Sequence, residues 1–321
     1  MSTLIKSRSR REFIAGTSIL IIGATLKLKG AEIPEVKKEP IIDIHQHIHY
    51  HERTDQQMLA HQRAMGITTT ILLPSGRPVN SASTHKGISN GLQAEAGGNA
   101  ECYLFAQQHR KEFLLAANAV PDLPDSISEI EKYLKLGAVL IGESKFGVEC
   151  DSLEMQKIYQ LAQTYNVPIL MHWQYKMYNY GFERFYKMLE KYPKVNFIGH
   201  AQTWWANIDK NHTDQSVLYP KGPVTPGGIT DRYLSDYPNM YGDLSAGSGL
   251  NALTRDEDHA KKFLDRHQDK LVYGSDCEDP SGLASLGCTG ALDIAEIRRL
   301  APAKKIERKL LYENAKRLFH L

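Results

Sequence analysis

The chain has 321 residues, 42 % hydrophobic and 24 % charged, an ordinary globular composition with enough apolar material for one large core or two small ones. Its 39 basic and 37 acidic residues leave a net charge of +2, which excludes a global electrostatic drive toward nucleic acid or anionic membrane. Four cysteines, Cys102, Cys150, Cys277 and Cys288, show no CxxC spacing, which argues against a cysteine-based zinc site or a disulfide framework.

The chain opens on a basic stretch that contains Arg8, Arg10 and Arg11, followed by an apolar run from Phe13 to about Leu28. That run is too short and too rich in Gly, Ala, Ser and Thr for a membrane span, which needs about 20 apolar residues, and it reads as an export signal. Ser9-Arg10-Arg11-Glu12-Phe13-Ile14 resembles the twin-arginine motif, an address read by a receptor, although Ala15 stands where a lysine is usual. Residues 1–31 are therefore set aside as a signal segment. The twin-arginine export machinery is the expected partner, and the periplasm or another exported location is the destination. An uncleaved segment leaves the protein membrane-anchored. The folded domain is expected over 40–321.

From Pro40 one pattern repeats: a short apolar run, a polar loop, a helical stretch. The apolar runs are IIDIH (41–45), TTTILL (68–73), FLLAANA (113–119), AVLIGE (138–143), VPILMH (167–172), VNFIGH (195–200), NMYGDL (239–244) and LVYGSD (271–276). They are short and apolar throughout, as parallel strands buried on both faces are. Stretches between them, such as SISEIEKYLKLG and SLEMQKIYQLAQTYN, carry apolar residues at helical spacing. Gly66, Gly137 and Asn166 stand where a helix C-cap belongs. Eight strands each followed by a helix predict an α/β fold, a (β/α)₈ TIM barrel, with PAKKIERKLLYENAKRLF as a final helical cover. The least patterned stretch, Gln202 to about Gly228, is long enough to suggest a functional loop.

Asp43, His45 and His47 alternate along strand 1, which points their side chains to one side. An HxH pair at the C-terminal end of a barrel strand presents two imidazoles to one ion. Alone this signal is weak. However, Glu143 ends strand 4, His172 strand 5, His200 strand 6 and Asp276 strand 8. Barrel active sites are built at that edge. Imidazole and carboxylate donors suit Zn²⁺, with Mn²⁺, Fe²⁺ or Ni²⁺ as alternatives. Asp43, one pleat deeper, is expected to orient a histidine or pair with a buried base rather than to bind the ion.

This set, HxH on strand 1, an acidic or lysine ligand on strand 4, histidines on strands 5 and 6 and an aspartate on strand 8, resembles the amidohydrolase superfamily. MLAHQRAMGITTTILLP, VPILMHW, VNFIGHA, LVYGSDCEDP and KIERKLLYENAKRLF resemble its amidohydrolase-related branch, and the resemblance covers about Ile41 to Leu321. It implies a metal-dependent enzyme with one or two ions, and it implies that Asp276 both touches the metal and shuttles a proton. The family's bridging carboxylate, a modified lysine or a glutamate, has two candidates in GESKFG, namely Glu143 and Lys145. Glu143 is favoured as the bridge because it sits nearer the strand end and needs no modification. Lys145 then contacts an anionic substrate group or a carboxylate. His200 binds a second ion or polarises the substrate carbonyl.

The expected activity is hydrolysis of a C–N or C–O bond (amide, lactone or ester) in a small molecule. The alternatives are non-oxidative decarboxylation of an aromatic or unsaturated acid, phosphodiester hydrolysis, which the near-neutral charge weakens, and a binding protein without turnover. Trp173, within the aromatic-rich HWQYKMYNYGF, and Arg255, after strand 7, are expected substrate contacts, with Arg77 a further candidate clamp. Self-association into a homo-oligomer is left open.

Overall fold

A computed structural model describes residues 39–76 and 96–321 and, between them, the backbone of two short antiparallel strands, Ala82–Ser83 and Gly87–Ile88. The expected signal segment with Arg10 and Arg11, and Arg77, lie outside the described residues. No helix of the described residues is long and apolar enough to cross a membrane.

Eight parallel strands among the described residues follow one another in chain order. They are β1 (Ile42–Gln46), β2 (Thr69–Leu72), β3 (Phe113–Leu115), β4 (Ile141–Ser144), β5 (Ile169–His172), β6 (Phe197–His200), β7 (Met240–Asp243) and β8 (Leu271–Val272). β1 pairs β2, β2 pairs β3, and an unbroken ladder runs from β4 to β8. Two contacts close the ring. Ala117 bridges to Ile141 in parallel register, and the Ile44 amide donates to the Tyr273 carbonyl at 3.2 Å. Each expected strand is present, and the helices fall between them, as a (β/α)₈ barrel requires.

The helices begin and end where local chemistry directs. Helix α1 (Asp55–Met65) starts at a capping box in which Thr54 and Gln57 satisfy each other's backbone amides, and it stops at Gly66, φ +80°. Ser152 caps the helix Leu153–Tyr165, which ends at Asn166 in the left-handed region. The stretch 202–228 opens with a short helix, Gln202–Ala206. It then folds back on itself: the Lys210 amide donates to the Thr225 carbonyl at 2.8 Å, and Asn207 and Gln215 exchange side-chain hydrogen bonds.

The barrel interior is filled by Ile42, Ile44, Ile71, Leu73, Ala116, Leu140, Leu170, Ile198 and Val272, contributed strand by strand. Ala315, Leu318 and Phe319 of the C-terminal helix complete this cluster. A larger apolar layer, including Phe105, Tyr159, Trp173, Phe185, Phe197, Trp204 and Phe263, joins the strands to the surrounding helices.

This packing corrects one expectation. Ile42 and Ile44 face the interior, so Asp43 between them faces the other way, toward Gln62 of α1 (3.0 Å) and the Ser275 hydroxyl (2.5 Å). The ladder slips between Asp43 and Gln46, and that irregularity breaks the two-residue alternation before His45 and His47 reach the barrel mouth. Asp43 does not share their direction. It supports them through the chain, accepting from the amides of His45 (3.0 Å) and Ser275 (2.8 Å) and so tying the end of β1 to the segment after β8.

Candidate metal centre

Six side chains from five strands and their following turns converge at the C-terminal mouth of the barrel. His45 lies on β1 and His47 follows it, Glu143 lies on β4, His172 ends β5, His200 ends β6 and Asp276 follows β8. His45, His47, Glu143, His172 and His200 are each at most 4 % exposed. Asp276 has a left-handed backbone, φ +40°, held by its amide on the His45 carbonyl at 2.7 Å. Aspartate tolerates that conformation better than most residues, and such outliers concentrate at functional sites.

The orientation of His45 and His47 is the most informative feature. The Nδ1 of His45 lies 2.7 Å from Asp243 Oδ2, and the Nδ1 of His47 lies 2.8 Å from the Leu73 carbonyl. Both partners are acceptors, so both Nδ1 atoms carry protons and both Nε2 atoms present lone pairs. These two Nε2 atoms are 3.1 Å apart. Two lone pairs at that distance repel unless a proton or a cation sits between them. Glu143 Oε2 is 3.7 and 3.6 Å from the two Nε2 atoms, and Asp276 Oδ1 is 3.7 and 3.4 Å from them. Both oxygens are buried without a hydrogen-bond partner. The donor set therefore fits a divalent cation: two imidazole nitrogens and the Glu143 oxygen lie within 4.8 Å of one another, with Asp276 Oδ1 beside the two imidazoles.

Glu143 divides its two oxygens. While Oε2 faces His45 and His47, Oε1 lies 2.6 Å from His172 Nδ1 and 3.7 Å from His200 Nε2. His200 Nε2 in turn lies 3.4 Å from Asp276 Oδ2, and its Nδ1 meets the Ser245 hydroxyl at 2.8 Å. The cluster thus contains two adjoining groups, His45/His47/Glu143 and Glu143/His172/His200, with Glu143 in common.

The electrostatics agree with a cation site. Burial opposes a charged His45, but Asp276, Glu143 and Asp243 outweigh it and hold the imidazole pKa well above the usual value. Burial likewise opposes ionised Glu143, yet His172, His45 and Lys145 hold it well below the carboxylate range. Asp276 is depressed in the same way, with His45, His200 and His47 overcoming its burial. Burial, aided by Lys145, pushes His172 down to about 4, so it is neutral near pH 7 and donates to Glu143.

Asp243 went unrecognised in the sequence because Leu244 closes the run NMYGDL, although Asp243 is the last residue of β7. Its carboxylate holds the His45 ring and accepts from the Ser245 hydroxyl at 2.8 Å. Gly274 makes room for this contact: a Cβ there would come within 2.6 Å of both Asp243 Oδ1 and the His45 Cβ. Carboxylates that orient a ligand histidine in this way are worth 10–100-fold in metal affinity, so Asp243→Asn is expected to weaken metal binding by roughly that factor. Chelator competition measures it. Unchanged affinity would leave Asp243 only a tie between β7 and β1.

Lys145 stands beside the cluster, its ammonium 5.7 Å from the Tyr178 ring centroid and close enough to shift both Glu143 and His172. Two expected substrate contacts stand apart from the cluster. Trp173 follows His172 and so points to the opposite side, where it is fully buried against Phe182 and Phe185 with ring centroids 5.2 and 4.9 Å away. It borders, with Tyr175, Tyr180 and Phe182, a cavity of about 410 Å³ that no residue of the six-membered cluster lines. Arg255 ends a helix, donates to the Ala206 carbonyl at 3.4 Å and lies near Asp209 and Asp256 rather than the cluster. The cluster opens instead into a cleft of about 680 Å³ lined by Asp276, Tyr50, His51, Gly247, Glu278 and Thr289, among others.

Comparison with known structures places this architecture among solved barrels. A probable 2-pyrone-4,6-dicarboxylic acid hydrolase from Acinetobacter baumannii, with citric acid bound, is similar at 16 % identity and a TM-score of 0.57, over 88 % of this chain and 99 % of that one. A 2,6-dihydroxybenzoate decarboxylase from Rhizobium is similar at 14 % identity and a TM-score of 0.53, over 88 % and 99 %. A 5-carboxyvanillate decarboxylase from Novosphingobium aromaticivorans, complexed with manganese and a nitrobenzoic acid, is similar at 14 % identity and a TM-score of 0.52, over 83 % and 80 %. At these identities the likeness shows the fold. No curated protein matches the chain. Residues 42–321, nearly all of the barrel, match the sequence model of one family, and the chain belongs to it: the amidohydrolase family.

Proposed function

We propose that this protein is a metal-dependent hydrolase that cleaves a C–O or C–N bond of a carboxylate-bearing small molecule. The observation that carries the reading is Glu143, whose two oxygens serve separate histidine pairs. Such a carboxylate would help hold one divalent cation with His45 and His47 and a second with His172 and His200. The imidazole and carboxylate donors suit Zn²⁺, with Mn²⁺, Fe²⁺ or Ni²⁺ as alternatives. A divalent ion in this site supplies a water whose pKa falls from about 15.7 to about 7 and a Lewis acid for the substrate carbonyl.

The chain's own residues do the rest. His45 and His47, braced by Asp243 and the Leu73 carbonyl, hold the ion's position. Asp276 lines the cleft, and its carboxylate takes the proton of the attacking water and returns it to the leaving group. His200, 3.4 Å from Asp276 and braced by Ser245, orients the scissile carbonyl. Lys145 offers a positive charge to a substrate carboxylate. Carboxylated substrates are consistent with the names of the similarly folded proteins, a pyrone dicarboxylic acid hydrolase and benzoate-type decarboxylases.

Product analysis tests the proposal. Metal-loaded protein is incubated with two panels, carboxylated lactones, esters and amides in one and hydroxylated benzoates in the other. The expected products are ring-opened or cleaved acids with solvent oxygen incorporated from H₂¹⁸O. Carbon dioxide release from the benzoates without hydrolysis of the first panel would replace the hydrolase reading by a decarboxylase.

A further inference from the structure

Behind the barrel mouth, on the helix side of the segment that follows Asp276, the fold assembles a second reactive group. Cys277 and Cys288, eleven positions apart, place their sulfurs 3.2 Å from each other. His61 of α1 points its Nε2 at Cys288 Sγ from 3.3 Å. All three residues are buried, none more than 3 % exposed. Cys288 is the N-cap of the twelve-residue helix Thr289–Leu300, and its sulfur accepts from the Ala291 amide at 3.4 Å. Buried Arg53 donates to the Cys277 carbonyl at 2.8 Å. Two soft sulfurs and an imidazole also resemble a small metal site. The surroundings decide against that: the helix N-terminus and the Arg53 guanidinium are both positive, which favours a sulfur anion and disfavours a cation. The other two cysteines, Cys102 and Cys150, are also buried, and the Cys150 thiol donates to the Gly181 carbonyl at 3.3 Å.

We propose that Cys277 and Cys288 are a redox-active dithiol, a modification site that a peroxide converts to a disulfide, with His61 as the base that activates Cys288. Cys277 is a lining residue of the same cleft as Asp276 and is 3 % exposed, whereas Cys288 is fully buried, so Cys277 is the one nearer the route a small oxidant takes. There the thiol sulfur attacks one oxygen of the peroxide, the O–O bond breaks, and with hydrogen peroxide the products are the Cys277 sulfenic acid and one water. His61 then takes the Cys288 proton. The Cys288 sulfur attacks the Cys277 sulfur, the S–O bond breaks, and the departing hydroxide leaves as water with the proton from His61. In sum two thiols lose two electrons and two protons to one peroxide, which yields two waters. The sulfurs need to close from 3.2 Å to about 2.05 Å, and the bond then ties the segment behind Asp276 to the helix that Cys288 caps.

The test uses the full chain, first reduced, then exposed to hydrogen peroxide, denatured, alkylated and digested. The expected result is a Cys277–Cys288 linked peptide lacking two hydrogens, with Cys102 and Cys150 still alkylated, and a melting temperature about 5 °C above that of the reduced protein. In Cys288→Ser a dimedone adduct at Cys277 is expected, since the sulfenic acid has no thiol to resolve it. In His61→Ala the linked peptide is expected to form at least about tenfold more slowly. Four alkylated cysteines after peroxide, or Cys277 oxidised to sulfinic acid in the wild type without a bridge, would overturn the proposal. So would a cobalt(II) thiolate absorption band that Cys288→Ser removes, which would make the group a metal site. None of these readouts depends on turnover, so they stand apart from the test of the hydrolase reading.

Discussion

Replacing His45 and His47 together by alanine is expected to strip the protein of its tightly held transition metal. The two Nε2 atoms, 3.1 Å apart, are the nitrogen half of the four-donor group. Without them Glu143 Oε2 and Asp276 Oδ1, which have no hydrogen-bond partner, also lose the imidazoles that face them. Wild-type protein purified without chelator is expected to carry at least one equivalent by elemental analysis, and the double variant close to none. A melting curve belongs beside that measurement, because a ligand that binds only the folded state raises its stability by mass action. Added Zn²⁺ is expected to raise the melting temperature of the wild type and leave the variant unmoved. Equal metal content in the two proteins would remove the assignment of this pair, and the ion would have to be sought at the Glu143/His172/His200 group alone.

The second large effect belongs to Asp276. Asp276→Asn keeps the shape of the side chain and one acceptor oxygen, but it loses the basic carboxylate. Metal should be retained through His45, His47 and Glu143, since those donors do not depend on Asp276 for their orientation: His45 is held by Asp243 and His47 by Leu73. If Asp276 carries the proton, turnover falls by about 10²–10⁴, the usual range for a positioned acid or base, and the loss lies in kcat rather than KM. Its depressed pKa sets the pH dependence. The carboxylate is already ionised well below pH 3.8, so the acid limb of the wild-type profile should not arise from this group at ordinary assay pH. Loss of metal together with activity would instead make Asp276 chiefly a ligand, and the proton carrier would then be His200, 3.4 Å away. Near-normal kcat with metal in place would make Asp276 structural.

Some of this could be read directly from the chain. Runs such as VPILMH and VNFIGH are short and apolar and end on a histidine. A strand buried on both faces permits a polar residue only where it leaves the core, so such an ending marks the barrel mouth. The helix ends at Gly66 and Asn166 were legible for an equally local reason, since a left-handed residue is needed there and few residues adopt it. His45, His47, Glu143, His172, His200 and Asp276 were therefore recoverable as a set before any contact was known.

Where sequence reasoning went astray, the deciding quantity was non-local. Alternation along β1 assigned Asp43 to the side of His45, but the slip in the β1–β2 ladder reverses that parity, and only the pairing partner reveals a slip. Trp173 is one residue past His172, and that single residue turns it from the mouth into the aromatic layer against Phe182 and Phe185. Asp243 became meaningful only when its oxygen was found 2.7 Å from a ring 198 positions earlier in the chain.

By itself, then, the sequence determined the barrel and the identity of the polar residues at its mouth, because strand periodicity, capping and the burial of apolar runs act over a few residues. The tertiary structure alone decided which atoms face each other: that the lone pairs of His45 and His47 meet, that Glu143 serves two histidine pairs, and that Cys277, Cys288 and His61 come together despite their spacing. Those relations arise from ring closure, which brings β1 beside β8 and packs α1 against the loop beyond it. Directions of side chains across such a closure depend on register and on the hydrogen bonds of distant partners, neither of which a local pattern encodes.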